Sequence, residues 1–260
     1  MTTDPRDDHH DRVAAAFDGQ AARFERAPVQ TDPAALRALV ELADFPPDSL
    51  ILDAGCGPGL VARALLDAGH RVVGVDLSPE MIERARARCA EFGDRARFER
   101  RPIGDVGGPG RFDGSISRYV LHHVVDPAEF LAQQVALVRP GGVVVLSDHT
   151  TDPDPARAEP HQEIERLRDR SHTRNLTAGA IVDLLARAGL AEVRATEERF
   201  ALDFDEWFDR GTPAAPKAEV RARIAALAPT RGFDIKAGPD GRLALHCWRA
   251  AVRGVVPARP

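Results

Sequence analysis

The sequence predicts an α/β protein whose centre is a doubly wound, mostly parallel β-sheet. From about residue 49 onward, short runs of apolar and β-branched residues alternate with segments of helical period. Most of the helical segments start at a capping residue and stop at glycine. Strands that alternate with helices pair in parallel through right-handed crossovers. The 260 residues are enough for one large domain with additions.

Two helices are predicted before the sheet. An apolar stripe at helical spacing runs from Val13 to Phe24, and residues 1–11 before it are expected to form a disordered tail. The second helix is "TDPAALRALVELADF", which places Asp32 at the N-cap and Pro33 at the first helical position.

Five strands with three intervening helices follow. The segment "SLILDAG" predicts a buried strand, and "PGLVARALLDAG" predicts a helix that Gly69 closes. After the strand "RVVGVDLS", the helix "SPEMIERARARCAEFG" has Ser78 as its cap and Gly93 at its end. The third and fourth strands are "RARFERR" and "RFDGSISRYV". A capped helix, "DPAEFLAQQVALVRPGG", leads to the fifth strand, "GVVVLSDH".

The remaining residues add helices and further strands. The segment "AEPHQEIERLRDRSHTRN" predicts a helix over the sheet edge, and "TAGAIVDLLARAGL" and "AEVRATEERFAL" predict a helix and a strand. Two short helices, "DFDEWFDRG" and "PKAEVRARIAALA", precede two strands joined by a turn at "GPDG". We expect one domain over 12–260, with a cofactor-binding core at about 30–150. A substrate-covering segment at about 151–176 and a C-terminal α+β addition at about 200–260 complete it.

Composition excludes several classes of function. The net charge is −5 and there is no long basic run, so we expect no nucleic-acid partner. No apolar run reaches membrane-spanning length, and the acidic first residues do not resemble a signal peptide. The cysteines Cys56, Cys89 and Cys247 have neither disulfide-framework nor zinc-site spacing. These features favour a cytoplasmic monomer or homodimer without a metal.

The stretch "ILDAGCGPGL" predicts a ligand site where the first strand meets its helix. The glycines at 55, 57 and 59 let backbone approach a ligand closely at the carboxyl end of a parallel strand. A phosphate loop needs a lysine that is missing here, and the dinucleotide motif needs glycine where Leu60 stands. Asp53 precedes the glycines and favours a cationic ligand. Asp76, at the end of the second strand, is placed to accept hydrogen bonds from ribose hydroxyls. S-adenosylmethionine has both features.

Four segments resemble the motifs of class I S-adenosylmethionine-dependent methyltransferases. They are "LDAGCGPG", "VVGVDLSPEMIERAR", "FDGSISRYVLHHVVDP" and "ALVRPGGVVVLSDH", in that order. The resemblance covers roughly residues 13–200 and is strongest to the small-molecule branch that includes the ubiquinone/menaquinone-biosynthesis methyltransferases. It implies a Rossmann-like fold and S-adenosylmethionine as the cofactor.

The resemblance also implies roles for residues at matching positions. Contacts to the methionine part are implied for Asp53, Gly55, Gly57 and Gly59, and near its end for Ser117 and Arg118. Asp76 is implied to hold the ribose, with Leu77 and Met81 against adenine. In the family an acid after the third strand binds the adenine amino group. Here that loop is altered, so either Asp105 or a backbone amide near Ile103 takes the role.

Histidines are the candidates for a general base, since methyl transfer needs a base only when the nucleophile must lose a proton. His149 follows the fifth strand, His122 follows the fourth, and His172 lies on the segment expected to cover the site. For each, packing or a solvated surface is the alternative. The candidate substrate contacts are Phe17 and Phe24 of the first helix, His123, and Arg174, which could meet an acidic substrate together with His172.

We therefore expect an enzyme that transfers a methyl group to oxygen, nitrogen or carbon of a small metabolite, in bacterial secondary metabolism. A quinone-biosynthesis C-methyltransferase is one alternative. Another is a cyclase of the same fold, which uses the sulfonium charge without transferring a methyl group. A binding module that has lost cofactor affinity is disfavoured, because Asp53, Asp76 and all three glycines are present.

Overall fold

The computed structural model describes residues 5–238 and 241–258. The strands in this part of the chain are β1 (Leu50–Ala54), β2 (Arg71–Asp76), β3 (Ala96–Arg100), β4 (Phe112–Arg118), β5 (Val138–Thr150), β6 (Ala191–Asp203), β7 (Asp234–Ala237) and β8 (Leu243–Val255). The helices are α1 (Pro5–Phe24), α2 (Pro28–Thr31), α3 (Pro33–Ala43), α4 (Leu60–Asp67), α5 (Pro79–Arg88), α6 (Pro127–Leu137), α7 (Pro155–Arg168), α8 (Ala178–Arg187), α9 (Phe204–Asp209) and α10 (Lys217–Ala225). No helix of the described residues is both long enough and apolar enough to cross a membrane.

These eight strands form a single sheet. Its order is β3-β2-β1-β4-β5-β8-β6, and β7 pairs with β8 beside this path. Strands β1 to β5 run parallel, whereas β8 is antiparallel to β5, β6 and β7. The predicted doubly wound, mostly parallel sheet is therefore confirmed. The strand order reverses between β1 and β4, which is where an open α/β sheet binds its ligand.

Alternate residues of the buried strands contact different helical layers. Ile51 packs in a cluster with residues of α3, α4 and α5, while its neighbour Leu52 packs with residues of α6 and α8. Successive side chains of a strand point to opposite faces, so continuous apolar runs produce a sheet covered on both sides.

A third apolar cluster lies beside the sheet and contains residues from the later part of the chain. It includes Ile164 of α7, Phe204 and Trp207 of α9, Phe233, and Leu245 of β8. Trp207 is 3% exposed and packs edge to face on Phe233. This cluster brings α7 and α9 together next to the carboxyl end of β5.

Two predicted boundaries differ from the structure, and a third prediction lies outside the described residues. Helix α1 begins at Pro5, so the expected disordered tail is helical from residue 5 onward, while residues 1–4 lie outside the described residues. The imidazole of His9 on this helix lies 2.7 Å from the backbone oxygen of His123. Helix α5 ends at Arg88 and continues as a 3-10 turn past Gly93. The turn at "GPDG" contains residues 239–240, which lie outside the described part.

Helix α7 is also shorter than its charged sequence predicts. It ends at Arg168 instead of continuing through "DRSHTRN". The Asp169 carboxylate accepts hydrogen bonds from the Ser171 amide at 3.0 Å and from the Ser171 hydroxyl at 2.6 Å, which stabilises a turn. The residues after Arg168 therefore leave the helix axis.

Candidate active site

Two adjoining cavities lie at the carboxyl ends of the parallel strands. The larger has a volume of about 470 Å³ and the smaller about 40 Å³; we call them the large cavity and the small cavity. Both cavities are lined by Phe17, Phe24, Gln30, Tyr119 and His123. Because the two cavities share these wall residues, a ligand in the large cavity would lie next to a ligand in the small cavity.

The glycine loop after β1 forms part of the large cavity's wall, although its three glycines have different roles. All three have positive φ angles, of 75° at Gly55, 51° at Gly57 and 80° at Gly59. A Cβ on Gly57 would meet no protein atom within 4 Å, so bare backbone faces the large cavity there. A Cβ on Gly55 would lie 2.6 Å from Val120. A Cβ on Gly59 would lie 3.0 Å from the Cα of Ala85, so Gly59 permits the close packing of α5 and does not line the cavity.

Asp53 carries the most unusual electrostatic environment of the large cavity. Its side chain is buried, and Oδ2 has no hydrogen-bond partner among the described residues. Burial, together with the charge of Asp76, raises the pKa of Asp53 to about 7. An unpaired buried carboxylate oxygen is costly unless a cation or donor reaches it. The site therefore fits a ligand with a positively charged group.

Asp76 is held by the backbone at the edge of the same cavity. Its Oδ2 accepts a hydrogen bond from the Gly57 amide and its Oδ1 accepts one from the Ser78 amide, each at 2.9 Å. Burial raises its pKa. Each carboxylate oxygen keeps a second lone pair, so the fixed side chain can accept bonds from a vicinal diol. This arrangement, together with Asp53, fits S-adenosylmethionine.

The positions predicted for the adenine end all belong to the large cavity. It is lined by Leu77, Met81, Ile103 and Asp105. Met81 and Ile103 are buried, whereas Asp105 is exposed on a short 3-10 turn. Both sequence-based alternatives for the amino-group contact, the Asp105 carboxylate and the backbone at Ile103, are therefore present there.

The two residues predicted after β4 are separated. Arg118 lines the large cavity, and its guanidinium donates hydrogen bonds to the backbone oxygens of Val29 and Gln30, each at 3.0 Å. Ser117 is buried and lines neither cavity. Consecutive side chains of a strand point to opposite faces, so the two could not both face the ligand.

His122 lines the small cavity and pairs with the buried carboxylate of Asp148. The Nδ1 atom of His122 lies 2.6 Å from Oδ1 of Asp148, whose carboxylate also accepts a hydrogen bond from the His149 amide at 2.6 Å. Burial lowers the pKa of His122, but the charge and hydrogen bond of Asp148 outweigh burial and raise it above the ordinary value. Because Nδ1 is held by the carboxylate, Nε2 remains to exchange a proton.

The neighbouring histidines are neutral wall residues. His149 lines the small cavity and stacks on Tyr119, with ring centroids 4.4 Å apart. Burial and the charge of His122 hold its pKa well below the ordinary value. His123 lies 3.0 Å from the Ser171 hydroxyl, and burial and His122 lower its pKa to about 3. Neither ring is a strong base.

Helix α1 closes both cavities with its aromatic residues. Phe17 and Phe24 have ring centroids 6.0 Å apart in edge-to-face geometry, and Phe17 packs edge to face on His123 at 4.9 Å. The sequence predicted this pair as substrate contacts, and the structure places both rings at the junction of the cavities. His9 and His10, expected in a tail, also line the large cavity.

His172 and Arg174 do not line either cavity. The Nε2 atom of His172 lies 3.1 Å from Oε1 of Gln162, and burial lowers the pKa of this histidine to about 3. Arg174 is exposed and lies 3.8 Å from Glu159. The turn after Arg168 directs both side chains away from the site, so their predicted roles are not supported by this placement.

Several residues of the small cavity were missed by the sequence analysis. His161, in the segment predicted as a helix over the sheet edge, is 2% exposed and lines the small cavity. Arg168 and Arg210 are also in its wall, as is Tyr119, whose hydroxyl accepts a hydrogen bond from Arg249 at 2.9 Å. Tyr119 has a φ of 60°, which is unusual for a tyrosine. Of these residues, only Tyr119 could have been indicated by the sequence, through its position after the fourth strand. His161, Arg168 and Arg210 are brought to the cavity from distant segments of the chain.

Comparisons with the sequences of known proteins point to one family. The family model of the methyltransferase domain matches residues 26–195. YcgJ, an uncharacterized methyltransferase of Bacillus subtilis, is 26% identical over 220 residues, which are 83% of this chain and 87% of that protein. The ubiquinone biosynthesis O-methyltransferase of Xanthomonas campestris pv. campestris is 32% identical over 122 residues. These are 46% of this chain and 48% of that relative, so the match spans about half of it.

Solved structures share the fold over most of the chain. The crystal structure of YcgJ superposes with a TM-score of 0.77 at 24% identity, covering 87% of this chain and 99% of that one. A putative methyltransferase of Bacillus halodurans gives a TM-score of 0.75 at 23% identity, covering 86% of this chain and 100% of that one.

Proposed function

This chain belongs to the methyltransferase-domain family as a class I S-adenosylmethionine-dependent enzyme, and on that premise we propose that it methylates a proton-bearing atom of a small metabolite with His122 as general base. The observation that carries the proposal is the 2.6 Å contact between the Asp148 carboxylate and His122, which lines the small cavity. The acceptor occupies the small cavity, and the cofactor occupies the large one.

The cofactor side of the proposal assigns each polar group of the large cavity. S-adenosylmethionine supplies a methyl group already activated on a sulfonium. Asp53 pairs with the ammonium of its methionine part, while the backbone at Gly57 approaches that part closely. Asp76 accepts hydrogen bonds from the ribose. Leu77 and Met81 contact the adenine.

Positioning and proton removal are the two tasks left to the protein. Placing the nucleophile in line with the methyl group can lower the barrier by about 7–11 kcal/mol. The rings of Phe17 and Phe24 at the junction of the cavities exclude water from that line. His122 then accepts the proton of an oxygen, nitrogen or carbon acid, and Asp148 stabilises the imidazolium that forms.

His122 is a better base than His149 for a physical reason. A general base works best when its pKa lies near the operating pH. Asp148 raises the pKa of His122, whereas burial and the neighbouring charge of His122 keep that of His149 well below the ordinary value. His149 instead packs against Tyr119 and shapes the cavity.

The acceptor is proposed to be a small metabolite of bacterial secondary metabolism, because the small cavity has a volume of only about 40 Å³ and part of its wall comes from the C-terminal addition. A quinone precursor is the second candidate, supported by the similarity to the ubiquinone biosynthesis O-methyltransferase. A cyclase that uses the sulfonium without methyl transfer is the third candidate. Its product would not gain the mass of a methyl group.

The test is a methylation assay with a labelled donor. Purified protein is incubated with a panel of small phenols, amines, carboxylic acids and quinone precursors, and products are read by mass for the gain of one methyl group. The rate should rise with pH through the His122 pKa. In Asp148→Asn the rise should move to lower pH, because burial then dominates the His122 pKa, and the rate should fall by about 10²-fold. Products without added mass would favour a cyclase, and full activity of Asp148→Asn would exclude the base assignment.

A further inference from the structure

We propose that the acceptor of this enzyme carries a carboxylate, and that Arg210 binds it in the small cavity. The inference rests on the proposed function in one respect, since it takes the small cavity as the acceptor site. Arg210 lines that cavity and is 5% exposed. Its role is not explained by the methyl-transfer chemistry assigned to His122 and Asp148.

Arg210 is a buried cation without adequate partners. Its guanidinium donates no hydrogen bond to any other described residue, and its buried Nε atom is unsatisfied. Its ion pair is with Glu206, whose Oε1 lies 3.9 Å from Nε and is itself without a hydrogen bond. Burial and the charge of Arg168 lower the pKa of Arg210 to about 10, so the side chain stays protonated at neutral pH.

The other charged residues of the small cavity are already paired. Arg168 donates a hydrogen bond to the backbone oxygen of Trp207 at 2.9 Å and lies 3.5 Å from Asp169 and 4.0 Å from Glu165. Glu165 also lies 3.7 Å from His161. Asp169 accepts hydrogen bonds from Ser171 and Gln20. Among the described residues that line this cavity, Arg210 is therefore the arginine whose guanidinium makes no hydrogen bond.

Arg210 belongs to the proposed acceptor cavity and not to the cofactor cavity. Arg210 lines the small cavity but not the large one, where Arg118 is the arginine near the expected methionine part. Arg210 and His122 both contribute to the electrostatic environment of His149. A carboxylate on Arg210 would thus lie on the same cavity wall as the base.

The dimensions and chemistry of the small cavity favour a carboxylate over a larger anion. A volume of about 40 Å³ accommodates about three water-sized groups. The planar guanidinium matches a carboxylate in a two-point hydrogen bond. The apolar wall contributed by Leu202, Trp207 and Trp248 suits the carbon skeleton of such an acid. The nucleophilic end of the acceptor would reach the junction with the large cavity.

The experiment uses intrinsic fluorescence, because both tryptophans of the chain line the small cavity. Protein saturated with S-adenosylhomocysteine is titrated with formate and acetate, which match the small volume, and in parallel with the uncharged analogues formamide and acetamide. We expect the wild type to bind each acid about 10- to 100-fold more tightly than its amide, the range for hydrogen bonds to a charged group. In Arg210→Gln this ratio should fall to about one, while Arg210→Lys should keep part of it.

Arg174→Gln is the matched control, since it removes an exposed arginine that lies outside both cavities. It should keep the wild-type ratio of acid to amide affinity. Calorimetric binding of S-adenosylhomocysteine, unchanged in Arg210→Gln, shows that this variant is folded. Equal binding of acids and amides by the wild type would overturn the inference, and so would a preserved ratio in Arg210→Gln. Because these titrations involve no turnover, their result is independent of whether Asp148→Asn is active.

Discussion

The large and small cavities are built in different ways. In the large cavity, backbone groups hold the polar side chains in place. The amides of Gly57 and Ser78 donate hydrogen bonds to Asp76, and the glycine loop that carries Gly57 follows β1 directly. In the small cavity, side chains hold one another across the sequence, as His122 and Asp148 do. A ligand common to a whole family can be bound by local backbone, whereas an individual acceptor needs side chains that can change independently.

The largest effect is expected from a substitution in the small cavity. His122→Gln should lower kcat by about 10²- to 10⁴-fold, since it removes the base while its amide can still donate to Asp148. Cofactor affinity should not change, because His122 does not line the large cavity. Single-turnover rates and calorimetry measure the two effects separately.

His149→Phe is the matched control for this substitution. It keeps an aromatic ring against Tyr119 and removes only the imidazole nitrogens, so we expect a much smaller loss of rate. If His149→Phe were as slow as His122→Gln, the assignment of His122 as the single base would be wrong.

An intermediate effect is expected in the large cavity. Asp76→Ala should weaken S-adenosylmethionine binding by about 1.5–3 kcal/mol, the size of hydrogen bonds to a charged group. Asp105, an exposed acid that lines the same cavity, provides the control. Asp105→Ala should weaken S-adenosylmethionine binding less than Asp76→Ala does. Unchanged calorimetric affinity in a folded Asp76→Ala protein would contradict the ribose assignment.

The smallest effect concerns the pH dependence of cofactor binding. With a pKa of about 7, Asp53 in the free protein holds its proton below that pH, and a protonated carboxyl cannot pair with an ammonium group. Affinity should therefore fall as pH decreases below about 7, by up to tenfold per pH unit. Calorimetry at several pH values measures this slope. Asp53→Asn should bind more weakly, and its affinity should not change over the same range.

The raised pKa of Asp53 also predicts how the free energy of unfolding depends on pH, which gives a second test of that pKa. The carboxyl of Asp53 loses its proton near pH 3.8 when unfolded but near 7 when folded, so the folded state binds more protons between these values. The contribution of Asp53 to the free energy of unfolding should therefore decrease as pH rises from about 4 to 7. Comparing the pH dependence of denaturant unfolding for the wild type and Asp53→Asn isolates this contribution. Parallel curves would contradict the raised pKa.

The secondary structure was predictable where the signal is local. Asp32, Ser78, Asp126 and Thr177 each accept a hydrogen bond from an amide two or three residues ahead, as helix caps do. The apolar runs of β1, β2 and β5 likewise indicated buried strands. Helix α7 was predicted too long, because the turn after Arg168 depends on the Asp169 side chain and no glycine or proline marks it.

The candidate site was predictable in part, for the same physical reason. Asp53, Gly57 and Asp76 line the large cavity as the sequence predicts, since the ends of adjacent parallel strands meet at one edge. Gly59 and Ser117 do not line it, because side-chain direction depends on the packing of α5 and on strand parity.

The sequence by itself determined the individual strands, the caps and the glycine loop, since each depends on residues within a few positions of one another. Only the tertiary structure decided which charged side chains surround the small cavity. His161 and Arg210 come from α7 and from the residue after α9, and no sequence period relates them to His122. Burial against the third apolar cluster brings them together, and burial is a property of the folded chain.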